Sequence, residues 1–479
     1  MAAVLILVVA GCRKDDYYTG SDIDLRFSSD TLRFDTVFTS IGSATRYITV
    51  HNRGNRPVLA DITLRRESGD FFRINADGIK GPEVKQVEIG AGDSIYVFVE
   101  VTINPDQPVS ISPFVIEDKV DVTCNGKTFT AQLEAWGQNA NYITPKSGKG
   151  KSFLYQCDLG QETWDDPKPY VLYGILYVDS CRIVLPPGTR IYVHGGVVRD
   201  TTTVYNDGLL VFLRHGSLDS RGTPESPVVF QGDRLEKEFA DVSSQWVGLL
   251  FWQQSRGNNL SHTIIKNSIV GLLADSLAQI KLSGCIIHNT GGPAIRGRNA
   301  EISADNCLLF DNGANNVQLT YGGKYRFDYC IFSSYTGKSE ALSLNNFTCP
   351  DPPVCFSGIF IVNPLDAKFT NCILAGSDAD EISFNRRGDA STFQYSFDHC
   401  AFRVDELDDA GNFPDFSDHI KNCIFLRPSD KLFLDRSKND YRLDTMSVVL
   451  GKGVTIPAIG QDILGKVRKP MPDPGCFEF

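Results

Sequence analysis

The chain of 479 residues contains only three Met and four Trp, has no surplus of basic residues, and has no apolar run of 18 residues. Without such a run, no helix is expected to cross a bilayer core of about 30 Å. Lys and Arg together number 47 against 58 Asp and Glu, which gives a net charge of −11. Proteins that neutralise many phosphates are normally basic, so nucleic acid is not expected as a partner.

Turn-forming and aromatic residues are plentiful, with 42 Gly, 23 Pro, 30 Phe and 17 Tyr. Together with the scarcity of Met, they predict many short strands and few long helices. Hydrophobic residues make up 42% of the chain and charged residues 22%, which excludes a disordered chain and allows a large core. The composition therefore predicts an all-β protein.

The N-terminus carries a short apolar segment, residues 2–10, followed by Gly11 and Cys12. Nine apolar residues are too few to span a membrane and are typical of a signal peptide. Val9-Ala10-Gly11-Cys12 resembles the bacterial lipobox, although no Lys or Arg precedes the apolar segment. The resemblance implies that Cys12 is lipidated and holds the protein on a membrane; a cytosolic protein with an apolar tip stays open as the alternative.

Residues 13–16 (Arg-Lys-Asp-Asp) follow the lipobox directly. They resemble the tether of Bacteroidetes-type lipoproteins, and the resemblance implies a lipid-anchored position in the outer membrane, exposed at the cell surface. The alternative is an ordinary solvated linker. We therefore expect a signal peptide over residues 1–11 and a tether over residues 12–23.

Residues 24–140 contain short segments in which apolar and polar residues alternate, separated by turn-forming residues. Short strands at this spacing predict an immunoglobulin-like β-sandwich. The phrases TVHNRGNRPV (residues 49–58), FFRIN (71–75) and IGAGDS (89–94) resemble modules of the ASH type, also called DUF1573-like. Such modules are spacers or docking surfaces, so the resemblance implies no catalytic residue in this region.

Residues 141–454 contain a repeat that aligns on one small residue, with intervals of 22, 22, 23, 42, 28 and 23 residues. A period near 22 made of short strands is typical of a solenoid. Three strands per coil predict a parallel β-helix. The slot is occupied in turn by Thr263, Cys285, Cys307, Cys330, Cys372, Cys400 and Cys423.

The six slot cysteines are expected to form a buried stack, because coils in register lie about 4.8 Å apart. A disulfide ladder is the alternative, although parallel Cβ vectors do not suit its geometry. Metal ligation is disfavoured because no His joins the inward positions. Cys349 and Cys355 flank a short Pro-rich loop and are expected to form a disulfide, whereas pairing of Cys157 with Cys181 stays open.

The stacked N/D/H-C-I-I/F units resemble the right-handed parallel β-helix (pectin-lyase-like) superfamily. The ending Asp462-x-x-Gly465-x-x-Arg468, followed by residues 472–479 (PDPGCFEF), resembles the C-terminus of secreted β-helix proteins of the choice-of-anchor-Q type. The resemblance implies a C-terminal end or cap over residues 455–479. The superfamily includes lyases, hydrolases and non-catalytic binders, so it indicates a fold and not a reaction.

Four charged residues on the outward side of the repeat are the candidate site. Lys281 and Arg326 are candidates to hold the carboxylates of an acidic glycan, and an ordinary solvated face of mixed charge is the alternative. Asp305 and Asp328 fall in the same slot of adjacent coils, about 5 Å apart, and are candidate acid–base residues. Asp at a corner is also a common turn former, which is the alternative. No metal site is predicted, and Ca²⁺ is expected only if the protein is a lyase.

Tyr321, Tyr325 and Tyr329 are candidates to stack on sugar rings. Insertions over residues 345–366 and 403–418 interrupt the repeat, and the longer one is expected to overhang the edge beside Asp328. The sequence therefore predicts a surface-anchored lipoprotein whose β-helix binds polysaccharide or acts as an adhesin. The alternative is a lyase or glycoside hydrolase of acidic glycans; the sequence leaves open whether the protein is an enzyme.

Overall fold

The computed structural model describes residues 17–38, 45–67, 69–102, 114–138, 140–144, 152–199, 204–235, 237–336, 339–350, 355–407 and 415–479. Cys12 and residues 13–16, on which the lipobox and tether predictions depend, lie outside these residues. The chain divides into two compact units, residues 1–140 and 141–479. No helix within the described ranges is long and apolar enough to cross a membrane.

The first unit has two five-stranded sheets, and strands are numbered in chain order. The strands are β1 Leu25–Phe27, β2 Thr31–Phe38, β3 Arg46–Asn52, β4 Val58–Leu64, β5 Phe72–Ala76, β6 Ile79–Lys80, β7 Glu83–Ile89, β8 Ser94–Val101, β9 Phe114–Cys124 and β10 Lys127–Gln138. The sheet orders are β1-β3-β8-β5-β6 and β2-β10-β9-β4-β7. Apolar residues alternate along these strands, and those facing inward from both sheets form one core.

The second unit contains two large sheets. The 11-stranded sheet consists of β11 Asn141–Ile143, β14 Tyr170–Tyr173, β17 Arg190–His194, β22 Val228–Gly232, β25 Thr263–Lys266, β28 Ile286–His288, β30 Leu308–Phe310, β32 Ile331–Ser334, β37 Ile373–Gly376, β40 Ala401–Phe402 and β42 Ile424–Phe425. Neighbouring strands in it pair in parallel, as β28 with β30 and β30 with β32.

The 17-stranded sheet takes two segments from each full coil. Its strands are β12 Phe153–Tyr155, β13 Gln161–Thr163, β15 Ile175–Val178, β16 Arg182–Leu185, β20 Leu209–Phe212, β21 Ser217–Arg221, β23 Gly248–Phe251, β24 Asn258–Ser261, β26 Leu272–Ala274, β27 Gln279–Ser283, β29 Ile295–Asp305, β31 Val317–Asp328, β33 Leu342–Asn345, β36 Leu365–Thr370, β38 Ile382–Asn385, β39 Phe393–Asp398 and β41 Ile420–Lys421. The prediction of an all-β chain is confirmed, and large parallel sheets dominate it.

Three short antiparallel pairs and four 3₁₀ helices complete the described elements. The pairs are β18 Val197–Arg199 with β19 Val204–Asn206, β34 Phe347–Thr348 with β35 Ile361–Val362, and β43 Phe433–Asp435 with β44 Asp440–Leu443. The 3₁₀ helices are Lys237–Phe239, Ala390–Thr392, Phe416–His419 and Arg436–Lys438.

The corner before each slot residue requires a left-handed backbone. At this position φ lies between 39° and 64° in every coil from Thr263 to Cys423, and the residues are His262, Gly284, Asn306, Tyr329, Asn371, His399 and Asn422. Gly and Asn adopt this conformation at least cost. The recurrence of Asn before Cys therefore reflects a backbone demand of the corner.

The slot cysteines stack inside the second unit without disulfide bonds between them. Five are buried, and Cys423, the last of the stack, is partly buried. Thiols also donate to carbonyl oxygens of the preceding coil, as from Cys372 to Phe327 at 3.3 Å and from Cys400 to Phe369 at 3.4 Å. The stack is therefore held by packing and by weak S–H hydrogen bonds, with no disulfide ladder.

The C-terminal segment, residues 452–479, includes the predicted end or cap over residues 455–479. Val454 exchanges hydrogen bonds with the Asn371 side chain, and Gln461 O accepts one from Asn306 Nδ2. Ile463, Cys476 and Phe477 join a core with outward-facing residues of the 11-stranded sheet, among them Leu308, Ile331 and Ile373. The segment therefore covers the side of several coils, because that sheet presents an apolar outer face that needs burial.

Candidate functional site

The outward side of the 17-stranded sheet carries two columns of polar side chains in register. One column is Asp219, Asn259, Lys281, Ser303, Arg326, Lys368 and Ser396. The other is Arg221, Ser261, Ser283, Asp305, Asp328, Thr370, Asp398 and Lys421. We call these two columns the outward ladder. Neighbouring rungs lie one strand spacing apart, about 4.8 Å.

A groove of about 450 Å³ lies on the ladder across β21, β24, β27 and β29. Its lining includes Asp219, Arg221, Lys281 and Asp305. Lys281 has no ion-pair partner within the described part of the chain. It therefore offers an uncompensated cation to the groove.

Asp219 holds two guanidinium groups at one end of the groove. Its Oδ2 accepts hydrogen bonds from Arg182 and Arg221, both at 2.6 Å, and the Asp219 side chain is 9% exposed. One carboxylate against two guanidiniums leaves a net positive charge at this end. Sequence reasoning missed these three residues because their coils precede the cysteine repeat. The sequence carries a signal for this cluster in the Asp-x-Arg pattern of residues 219–221. It is the reverse of the Arg-x-Asp pattern of residues 326–328, which was recognised as part of the candidate site.

Asp305 and Asp328 are direct register partners on β29 and β31, so the structure brings the two candidate carboxylates together. Ser283 Oγ donates to Asp305 Oδ1 at 2.8 Å. Burial raises the pKa of the Asp305 carboxyl, and the charge of Asp328 raises it further, against the lowering effect of the Ser283 hydrogen bond. Asp305 therefore binds a proton more tightly than an exposed aspartate.

Asp328 is mostly buried and forms an ion pair. Arg326 Nε donates to its Oδ2 at 2.6 Å, whereas its buried Oδ1 has no partner among the described residues. Arg326 exposes 59% of its side chain but shares its charge with this carboxylate. Of the two predicted cations, Lys281 is therefore the freer to meet a ligand.

The three candidate tyrosines do not form a sugar-stacking row. Tyr325 is 3% exposed, and its hydroxyl donates to Gly322 O at 2.9 Å and accepts from Ala300 N at 3.2 Å. It faces the core because it occupies the same inward register position as Ile302. Its assignment as a ligand-binding residue is therefore corrected.

Tyr329 is also unavailable to a ligand, because the C-terminal segment covers it. It is fully buried, its hydroxyl donates to Val454 O at 2.8 Å, and the Arg468 guanidinium stacks on its ring. Tyr321 is half-buried at a left-handed position beside Gly322. The structure therefore corrects the role of Tyr329 and leaves Tyr321 alone at an irregularity within β31.

The longer insertion leaves the sheet far from Asp328. The hairpin of β34 and β35 lies between β33 and β36, before Leu365, whereas the register partner of Asp328 is Thr370 at the other end of β36. Five residues of strand correspond to about 17 Å. The insertion therefore rejoins the sheet at the end of β36 away from Asp328, and the overhang of the edge beside Asp328 stays a prediction. A disulfide joins Cys349 and Cys355 within the insertion. A second disulfide, near the start of the second unit, joins Cys157 and Cys181.

Among the described residues, no group of three or more His, Cys, Asp or Glu side chains is placed to hold a metal ion. The side chains of the outward ladder that can contact a ligand are therefore mainly carboxylates, cations and hydroxyl groups.

No protein-family model matches the chain, and no curated protein matches it. Three solved structures resemble parts of it. A protein of unknown function from Porphyromonas gingivalis W83 aligns at 16% identity over 24% of this chain and 46% of its own, with a TM-score of 0.18. This chain thus spans about half of that protein. The ASH/PapD-like domain 7 of human CEP192 aligns at 16% identity over 29% of this chain and 99% of its own length, with a TM-score of 0.18.

The third structure covers more of the chain. The catalytic unit of a GH87 α-1,3-glucanase from Streptomyces thermodiastaticus aligns at 9% identity over 79% of this chain and 74% of its own, with a TM-score of 0.24. At these TM-scores and identities, none of the three likenesses assigns an activity to this chain.

Proposed function

We propose that the protein is a lipid-anchored surface protein of the outer membrane that binds acidic polysaccharide along the outward ladder. In this proposal Cys12 carries the lipid, the first unit is an immunoglobulin-like sandwich, and residues 141–479 form a right-handed parallel β-helix. The observation that carries the binding proposal is the groove lined by Lys281, Asp219 and Arg221. Arg182, outside the lining, adds a second guanidinium on Asp219.

The regular spacing of the ladder suits a polymer. A chain-like ligand that runs across the coils meets a polar side chain at each strand spacing, so its repeating groups contact repeating rungs. Carboxylates or sulfates on the ligand would pair with the cations, and sugar hydroxyls with Ser261, Ser283 and Ser303. A small ligand would use only part of this surface.

Binding measurements on the full chain test the proposal. Acidic and neutral polysaccharides would be compared at low and high salt, using the wild type, Lys281→Ala and the matched control Lys452→Ala, which removes an exposed lysine from the C-terminal segment. We expect binding of acidic polymers that weakens with salt and with Lys281→Ala but not with Lys452→Ala. Equal binding by all three proteins would contradict the proposal.

A second candidate function is cleavage of the acidic polysaccharide, and the pairing of Asp305 with Asp328 favours it. Adjacent carboxylates of which one has a raised pKa are suited to acid–base catalysis. His262, whose pKa is lowered by burial, adds a titratable group next to Asp305. Release of reducing ends or unsaturated uronates by the wild type, lost in Asp328→Asn with binding kept, would establish cleavage; no release would exclude it for the polymers tested.

A further inference from the structure

Three aromatic side chains stand exposed on the outer face of the β1-β3-β8-β5-β6 sheet of the first unit. Tyr47 of β3 is 55% exposed, and Tyr96 and Phe98 of β8 are 50% and 38% exposed. Their ring centroids lie 5.2 to 6.0 Å apart, and the Tyr96 and Phe98 rings are inclined by only 16°. We call these three residues the aromatic platform. Clusters of exposed aromatic rings are typical of interaction surfaces.

Polar side chains continue the platform across the sheet. Phe98 lies opposite Tyr47 on one side and Asn75 of β5 on the other, and Asn75 pairs with Lys80 of β6. Asn75 is partly buried, and its Oδ1 atom is buried without a hydrogen-bond partner within the described residues. The surface thus alternates between apolar rings and hydrogen-bonding groups, as the surface of a sugar does.

A cavity of about 460 Å³ adjoins Phe98 beside β5 and β6, and its lining includes Arg73, Asn75 and Lys80. Neither Arg73 nor Lys80 has an ion-pair partner in the described part of the chain. Glu100, which faces Arg73 across the strands, accepts a hydrogen bond from Thr45 at 2.9 Å. In a chain with a net charge of −11, this cavity offers more cations than anions, and it complements an anionic partner.

We propose that the first unit is itself a binding module for uronate-containing polysaccharide. Sugar rings stack on Tyr96 and Phe98, and Arg73 and Lys80 hold a uronate carboxylate at the cavity. This goes beyond the spacer role of the first unit and uses residues other than the outward ladder.

Charge and polarity disfavour two other occupants. A second copy in a two-fold contact would bring the same cations, Arg73 and Lys80, towards each other. A lipid surface would have to bury Thr49, which lies opposite Tyr96 among the rings, without a hydrogen bond for its hydroxyl group. A glycan satisfies both the rings and the polar groups.

Binding of three uronate polymers (alginate, polygalacturonate and hyaluronate) to the full chain tests the proposal, with dextran as the neutral comparison. The variants are Tyr96→Ala/Phe98→Ala and Arg73→Ala. Tyr205→Ala, which removes a 37% exposed tyrosine from the second unit, is the matched control. We expect the double variant and Arg73→Ala each to weaken binding of at least one uronate polymer about tenfold, corresponding to about 1.4 kcal/mol, with Tyr205→Ala unchanged. All substituted side chains are exposed, so the variants are expected to fold, and circular dichroism checks this.

Lys281→Ala, measured alongside, separates the two proposals. Loss of binding in Lys281→Ala but not in the platform variants would overturn the module and keep the ladder, and the reverse result would keep the module alone. No binding of any uronate polymer at low salt would overturn the module. Two further results would overturn the binding-module proposal. The platform variants could keep polymer binding but lose binding to phosphatidylserine vesicles, which would indicate a lipid surface as the partner. They could also keep polymer binding but lose self-association, which would indicate a second copy of the chain.

Discussion

The guanidinium of Arg468 lies 3.6 Å from the ring centre of Tyr329, a residue 139 positions earlier in the chain. The same guanidinium donates to Asn306 Oδ1 at 2.6 Å and to Gly475 O at 3.0 Å, and it pairs with the buried Glu478. Asp462 accepts the backbone N–H groups of Leu464, Lys466 and Glu478. The C-terminal motif therefore fastens the last segment to the side of the coils, which gives its residues a structural role.

Arg468→Ala is expected to lower the free energy of unfolding by about 3–5 kcal/mol. It removes the guanidinium that pairs with the buried Glu478, which keeps only the longer ion pair with Lys469 at 3.8 Å. Arg442→Ala, which removes an exposed arginine paired with Asp440, is the control and should cost less than about 1 kcal/mol. Urea unfolding measures both. Similar values for the two variants would show that Arg468 does not hold the C-terminal segment.

Cys330→Ala is expected to cost about 1–2 kcal/mol, the loss for a small buried side chain. Cys423→Ala should cost less, because Cys423 ends the stack and is partly exposed. Thiol counting on the unfolded, unreduced Cys12→Ser protein should find eight free thiols. A count of two would indicate three further disulfides among the slot cysteines and refute the packed stack.

Glu381 is expected to make stability depend on pH. The side chain is fully buried and accepts hydrogen bonds from Ala341 N at 3.0 Å and Asp378 N at 3.1 Å, and burial raises its pKa to about 7. The folded chain therefore keeps this proton to a higher pH than the unfolded chain. The free energy of unfolding should fall by about 3 kcal/mol between pH 4.5 and about 7.

Glu381→Gln should remove that pH dependence, so the stability of the wild type relative to the variant declines as the pH rises through this range. Glu225→Gln, at an exposed position, is the control and should keep the wild-type dependence. Parallel pH profiles for wild type and Glu381→Gln would contradict the assignment.

Cys12→Ser is expected to release the protein from membranes, because a serine cannot form the thioether of a lipid anchor. Fractionation of cells at high salt measures this, with Cys124→Ser, at a cysteine buried in the first unit, as the control. Retention of the Cys12→Ser protein with membranes would contradict lipid anchoring.

The strand pairing was predictable from the sequence because it depends on local periodicity. The interval of about 22 residues between slot residues set the register that the structure shows between β27, β29 and β31. Asp305 and Asp328 could be placed side by side for the same reason. Tyr325 could also have been placed in the core, since it shares the inward position of Ile280 and Ile302.

The covering of Tyr329 was not predictable in this way. Its corner position faces outward, and only the return of the C-terminal segment, more than 120 residues later, buries it. The Arg182–Asp219–Arg221 cluster was missed because it depends on long-range contacts between coils that lack the slot cysteine. The sequence pattern therefore predicts the register between neighbouring strands. It does not predict side-chain contacts between segments that are distant in the chain.

Lysine acetylation footprinting tests the central claim most directly, because it reports which face an acidic polysaccharide covers. Lys281 and Lys368 stand on the outward ladder, Lys80 beside the aromatic platform and Lys452 in the C-terminal segment. A bound acidic polymer should slow acetylation of Lys281 and Lys368 several-fold and leave Lys452 unchanged, with the effect lost at high salt. Unchanged acetylation of Lys281 under conditions where the polymer is bound would contradict binding along the ladder.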